Sequence, residues 1–453
     1  MSFSRRVIFI LIAVFLAHSA ITSWAAKPPI LIRDAEVENT IRSYATPLFR
    51  AAGLKNQDIK IYIVKDETLN AFVAGGQNIF INTGLILNAD NANQIIGVIA
   101  HETGHIASRH LSRTHDALAK RSAASVLSLI LGGAAVLATG RGDIGTAIIS
   151  GGQTAALRNF LAYSRVQEAA ADHAAFKYLD QTKQSARGML GFMEKLGDQD
   201  LLSPAQQDPY VRSHPLTRER IDTIAHHVAN SPHSDVPTPG RIIDKNERIK
   251  AKLHAFINPM SRTRRIYKEG DNSLYSRYAR AIGHFRERKL ELALPLIDGL
   301  IAEERGNPYF HELKGQMLFE NAQLVGALSS YSQAARLLPD SALILRDLAR
   351  VQLEMNDSSL IDNAIINLKA SLSIEPRSAF SWRLLATAHG RKGDQGRSSI
   401  ALAEEALLKG RPKNAEFHAG RALKLFLKGS REWLQAEDIR IAAKDLSSQQ
   451  RRN

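Results

Sequence analysis

The stretch VIAHETGHIASRH, residues 98–110, places His101 and His105 four positions apart, with Glu102 directly after the first. On a helix, residues four apart share one face, with about 5–6 Å between their Cβ atoms. Both imidazoles can then aim a nitrogen at one metal ion, and zinc–nitrogen bonds of about 2.0–2.1 Å suit that span. Glu102 is turned aside from such an ion but can reach a water held on it. A carboxylate in that position can take the water's proton as it attacks a peptide carbonyl, then pass it to the leaving amine. The flanking Ile95, Ile96, Val98 and Ile99 predict a buried helix. Two histidines and a glutamate would be costly there without a task.

A catalytic zinc takes three protein ligands and keeps one position open, so the third ligand must come from another segment. SRVQEAAADH, residues 164–173, offers Glu168, with Asp172 one turn later on the same helical face. Glu168 is the candidate ligand. Asp172 is the candidate support, accepting the outer N–H of a ligand histidine and fixing its tautomer. A surface helix carrying ordinary acids fits the same residues.

The elements that must position these residues are legible in outline. Residues 30–90 read as mixed α and β. IRSYATPLFRAAG has helical spacing, IKIYIVK (59–65) alternates as a strand does, and 70–86 reads as a hairpin turning at Gly75–Gly76. A helix is predicted from Asn91 to about Thr114 and another over 161–181. Between them, 126–138 is apolar but short for a membrane span. The Gly-rich region 122–157 suits a buried helix or hairpin, a mobile cover or a peripheral membrane contact. SPHSDVPTPG (231–240) is a linker or domain edge.

Beyond residue 245 the pattern is helical and repeats. Pro308, Pro339, Pro376 and Pro412 are spaced by 31, 37 and 36 residues, bracketing the tetratricopeptide period of about 34. Small residues at Gly315, Ala349 and Ala386 fall where paired helices must approach closely. The expected architecture is an α+β metallopeptidase domain over 26–245, a helical connector over 246–272 and an all-α repeat solenoid over 273–440.

Composition bounds the setting. Lys and Arg total 59 against 45 Asp and Glu, a net charge of +14. The basic residues are scattered, no nucleic-acid motif is present, and the run SRTRRIYK (261–268) reads as a solvated helix face. The absence of cysteine excludes disulfides, thiolate ligands and a lipoprotein anchor. At the N-terminus, Arg5 and Arg6 precede an apolar run from Val7 to Ala17, with Ser23 and Ala25 following. That is the pattern of a signal peptide, residues 1–25, and it predicts export to the periplasm.

HETGH with Glu168 and Asp172 on a distant helix resembles the HtpX-type zinc metallopeptidase family, whose pattern is HExxH plus ExxxD. SHPLTRERI (213–221) matches that family's Ser-x-His-Pro element. The resemblance implies a zincin-type α+β fold and one zinc per chain, bound by His101, His105 and Glu168, with Glu102 as catalytic base. The order signal peptide, peptidase, repeats resembles the BepA-type periplasmic members. It implies quality control of outer-membrane β-barrel proteins: unfolded or misassembled chains as substrates, and the β-barrel assembly machinery docked through the repeats. A chaperone or scaffold with little proteolysis is the alternative. The resemblance places His214 near the cleft, where Pro215 stiffens its backbone. His214 could donate to the oxyanion, swing onto the metal as a brake, or be a structural loop residue. The hairpin around Gly75 would present an edge strand to extended substrate. One departure is LNADNANQII before the motif, which lacks the acidic helix start expected of the family.

Overall fold

A computed structural model describes residues 30–74, 77–109, 153–197 and 209–452. The N-terminal region builds a small sheet from β1 (Leu31–Ile32), β2 (Lys60–Val64), β3 (Ala71–Ala74) and β4 (Asn78–Asn82). The strand order is β1-β2-β4-β3, with β2 and β4 parallel and the outer pairs antiparallel. The alternation of β2 and β4 works as period 2 requires. Ile63, Ile79 and Ile81 are buried, while Tyr62, Phe80 and Phe72 stack in a row with ring centroids 5.1 Å apart. Among the described residues, β3 pairs only with β4 and forms an edge. The hairpin's turn at Gly75–Gly76, the signal peptide and the predicted contact segment up to residue 152 lie outside the described residues.

α1 (Ala35–Ala51), α2 (Thr83–Asn88) and α3 (Ala92–Ala107) follow from the chain order. α3 starts without acids, and the structure shows what replaces them. Asn91 accepts from the Gln94 backbone N–H at 3.2 Å, and Gln94 Oε1 accepts from the Asp90 N–H at 2.8 Å. This is a reciprocal cap made of amides. α3 ends at Ala107, short of the predicted Thr114, and Arg109 then adopts φ +53°, a left-handed helix stop. α4 (Gln153–Gln181), α5 (Arg187–Gly197), α6 (Pro209–Ser213) and α7 (Arg218–Asn230) complete the region. Their apolar faces close one core around α3, including Ile95, Ile99, Leu179, Met189, Phe192 and Ile224.

α8 (Gly240–Ile257) serves two cores. Ile249 and Leu253 pack into the first, while Ala251 and Ala255 pack into a second with Tyr278, Ile282 and Phe310. After α9 (Met260–Ile266), the chain runs as antiparallel helix pairs. These are α10 (Leu274–Arg286) with α11 (Leu290–Glu303), α12 (Pro308–Glu320) with α13 (Leu324–Leu337), and α14 (Ala342–Glu354) with α15 (Ile361–Ile374). α16 (Ala379–Arg391) with α17 (Gln395–Leu408) and α18 (Pro412–Leu423) with α19 (Arg431–Arg452) complete the series. Pro308 and Pro412 sit in the first turn of their helices, where a missing N–H costs nothing. Gly315 shows why a small residue is needed: a Cβ there would lie 2.6 Å from the Tyr331 ring. No helix among the described residues is long and apolar enough to cross a membrane.

The two regions are joined by a buried ionic knot. Glu36 on α1 accepts from Arg248 Nε at 2.8 Å and from the Tyr278 hydroxyl at 2.8 Å. Lys252 Nζ lies 2.8 Å from Asp34 and 3.4 Å from Glu36.

Candidate active site

α3 lies buried between the sheet and α4, and it presents His101, Glu102 and His105 along one side. α4 brings Glu168 and Asp172 opposite. The close approach depends on Gly104, the glycine of HETGH, because a Cβ there would lie 2.8 Å from the Ala171 carbonyl oxygen. His214 enters from the segment between α6 and α7, its N–H bonded to the Tyr210 carbonyl at 2.7 Å. The Tyr210 ring stacks on the His214 imidazole at 4.6 Å and meets Phe192 edge-on at 5.1 Å.

The structure thus brings together all the residues singled out from sequence. His101 Nε2 lies 3.1 Å from His105 Nε2, 3.3 Å from His214 Nδ1 and 3.2 Å from Glu168 Oε2. His105 Nε2 lies 3.3 Å from Glu168 Oε1, and His214 Nδ1 lies 3.2 Å from both Glu168 oxygens. On the outer side, His101 Nδ1 lies 2.8 Å from Asp172 Oδ1. The Glu102 carboxylate sits between the Val73 backbone on edge strand β3 and His214 Nε2, which is 3.3 Å from its Oε1. Among the described residues, neither of its oxygens is held by a well-formed hydrogen bond.

Burial sets the electrostatics, and the neighbours redirect it. Burial pushes the Glu102 carboxyl above its ordinary range, against the opposing pull of His214 and His101. His105 is driven down to about 3 by burial. For His101 burial alone would act the same way, but the Asp172 and Glu168 carboxylates outweigh it and raise the ring to about 10. Burial also disfavours the Glu168 charge, yet His214, His101 and His105 together hold it well below the carboxylate range. Glu168 is therefore a firm anion facing three imidazoles.

Residues 32–228 match the model of peptidase family M48. That stretch is an M48 metallopeptidase domain. The chain is similar to the beta-barrel assembly-enhancing protease of Yersinia pestis, at 23% identity over 389 residues, covering 84% of this chain and 78% of that one. The protein of the same name from Escherichia coli K12 is also 23% identical, over 402 residues, 84% of this chain and 77% of the relative. The metalloprotease YcaL of Escherichia coli K12 is 29% identical over 173 residues, covering 38% of this chain and 62% of that one.

The M48 family implies a divalent metal, and the donors present fit one. His101, His105, Glu168 and His214 each turn a ligand atom to a common point, all within 4.8 Å of one another. For metal–nitrogen bonds of about 2.0–2.1 Å, the edge of a tetrahedron of donors is about 3.3 Å. Five of the donor contacts, at 3.1–3.3 Å, match that edge, and no donor pair is more than 4.8 Å apart. Nitrogens this close face one another comfortably only when a proton or a cation lies between them.

Sequence reasoning missed two residues that pack against this cluster. Tyr210 backs His214, and Arg220 is bound to the acids of α4. Arg220 Nε and Nη2 donate to Asp172 at 2.7 and 2.9 Å, and Nη1 lies 3.0 Å from Glu168 Oε2 and 2.9 Å from the Pro215 carbonyl oxygen. The available signal was the position of Arg220 in SHPLTRERI, in the first turn of a helix capped by Thr217.

Proposed function

We propose that the chain is an exported zinc endopeptidase that degrades unfolded or misassembled outer-membrane proteins in the periplasm. His101, His105 and Glu168 are its metal ligands and Glu102 its base. The convergence of three imidazoles and a carboxylate within 4.8 Å of one another, with Glu102 beside them, carries the reading. When bound, zinc supplies Lewis acidity that acidifies a water and polarises a carbonyl. The protein's own groups do the rest. Asp172 holds the outer nitrogen of His101, fixing the ring's direction. Glu102 takes a proton from the attacking water and returns it to the leaving amine. β3 offers its free edge to an extended chain, by backbone pairing with little sequence preference.

His214 acts as a brake on this site. Its Nδ1 is committed to the donor cluster and its Nε2 to Glu102. Neither nitrogen remains for a substrate oxygen, which favours the brake over an oxyanion donor. A metal with four protein ligands is closed, so His214 must withdraw before substrate enters. The closed arrangement also supports a second reading, a chaperone that binds unfolded chains with little proteolysis. The helix pairs are a tetratricopeptide-type solenoid suited to docking a partner complex. The names of the similar proteins from Yersinia pestis and Escherichia coli support the β-barrel assembly machinery as that partner. The test is zinc content together with cleavage of an unfolded β-barrel protein. The full chain is expected to hold one zinc and cleave slowly. Glu102→Gln should keep the zinc and lose cleavage by about 10²–10⁴-fold, and His214→Ala should cleave faster. Zinc without cleavage in every form would leave the chaperone reading, and undiminished cleavage by Glu102→Gln would remove the assigned base.

A further inference from the structure

We propose that Arg220 is a positioning residue whose single guanidinium braces three of the four converging donors, an inference that rests on the metal-site reading above. Arg220 is 5% exposed on α7. Its planar head offers five N–H donors in a fixed fork, and the structure spends them on three different supports. Nε and Nη2 grip both oxygens of Asp172, at 2.7 and 2.9 Å. Asp172 Oδ1 in turn lies 2.8 Å from His101 Nδ1. The fork therefore fixes the plane of the carboxylate that aims His101. Nη1 lies 3.0 Å from Glu168 Oε2, touching a second donor directly. The same Nη1 donates to the Pro215 carbonyl at 2.9 Å, one residue beyond His214.

A plain buried salt bridge would need only the Asp172 contact. The further ties run to groups on two separate elements, each leading to a converging donor. Asp172 lies one turn beyond Glu168 on α4, so one guanidinium spans both acids of that helix face. It also ties that helix to the segment carrying His214. Without the fork, Asp172 is free to rotate, His101 loses its fixed direction and Glu168 loses the contact that locates Oε2. Lysine replaces the charge but cannot grip Asp172 with two parallel bonds while reaching Glu168 and Pro215. The consequence is a looser set of donors rather than a lost donor. Loss of such a supporting partner weakens metal affinity by about 10–100-fold.

The experiment uses the full chain with Arg220→Lys and Arg220→Ala. Zinc affinity is measured by chelator competition, and the cobalt-substituted protein gives an absorption spectrum that reports donor geometry. Arg220→Lys is expected to stay folded, bind zinc about 10–100-fold more weakly and show an altered cobalt spectrum. Its kcat should fall with KM little changed. Added guanidinium ion should restore much of the affinity in Arg220→Ala and none in the wild type, which separates bracing from a general loss of structure. Wild-type affinity and an unchanged cobalt spectrum in Arg220→Lys overturn the inference while leaving the metal site standing. Failure of the wild-type chain to bind zinc or cobalt overturns the site reading itself, and this inference with it.

Discussion

Glu36 and Glu102 are the same residue type, each with no exposed surface, and their surroundings are opposite. At the junction of the two regions, both oxygens of Glu36 accept well-formed hydrogen bonds at 2.8 Å, and Arg248 and Lys252 supply countercharge. At the site, Glu102 has an imidazole 3.3 Å away but no well-formed bond among the described residues, while three more ring nitrogens converge beside it. A buried charge with every lone pair satisfied holds a fold together. Acceptors crowded onto one point do not satisfy one another and are arranged for something else. The contrast separates a structural ionic knot from a chemical one without reference to any relative.

The sharpest way to break this contrast is to remove one acid from each cluster. Glu168→Ala takes a donor from the site. We expect at least a hundredfold loss of zinc affinity and no measurable cleavage, with modest change in thermal stability; metal analysis and a melting curve test both. Full zinc occupancy in that variant would mean that Glu168 is not a ligand. Glu36→Ala should do the reverse. It takes one partner from Arg248 and Lys252, which keep Asp244, Glu304 and Asp34, so the loss should fall below the ~3–5 kcal/mol of a fully broken buried pair. Chemical denaturation should report that loss, and zinc affinity should stay at the wild-type level. A stable Glu36→Ala protein with weakened zinc binding would collapse the distinction.

A smaller effect probes the repeat side of the junction. Glu312 on α12 has an oxygen, Oε2, with no hydrogen-bond partner among the described residues. Burial pushes its carboxyl up to about 8, partly offset by Lys252 and reinforced by Asp34 and Asp347. Between the ordinary value of 4.5 and about 8, the folded state keeps a proton that the unfolded chain has released. Stability therefore falls as pH rises through that window. Glu312→Gln should flatten the decline, giving a higher Tm than wild type near pH 8.5 and a smaller difference near pH 5. Parallel Tm curves would show that Glu312 is not strained.

How much of this was legible in the sequence follows from how local each signal is. His101, Glu102 and His105 lie within one helical turn, so their spacing alone suggested a metal-binding reading. Glu168 and Asp172 were visible as one helix face, but an acidic surface helix reads the same way until α4 is seen packed on Gly104. His214 was flagged by resemblance to a family element, and its seat among the donors came only from the structure. Arg220 stood in the quoted motif without a role, because its partners Asp172 and Glu168 are distant in sequence. The junction knot gave no signal at all, since Glu36 and Arg248 are 212 residues apart. Prolines and small residues marked the earlier helix pairs, whereas the pair of α18 and α19 has no closing proline. The amide cap at Asn91 and Gln94 was present in the sequence, but an acidic start was expected in its place.

His101, His105, Glu168 and His214 are proposed to close around one metal ion, with His214 the removable member. X-ray absorption at the zinc edge of the full-length protein tests it most directly, because it identifies the donors to the metal itself. One zinc per chain with three imidazole nitrogens and one carboxylate oxygen is expected, and one imidazole fewer in His214→Ala. Substoichiometric zinc, or a donor set unchanged by His214→Ala, would contradict it.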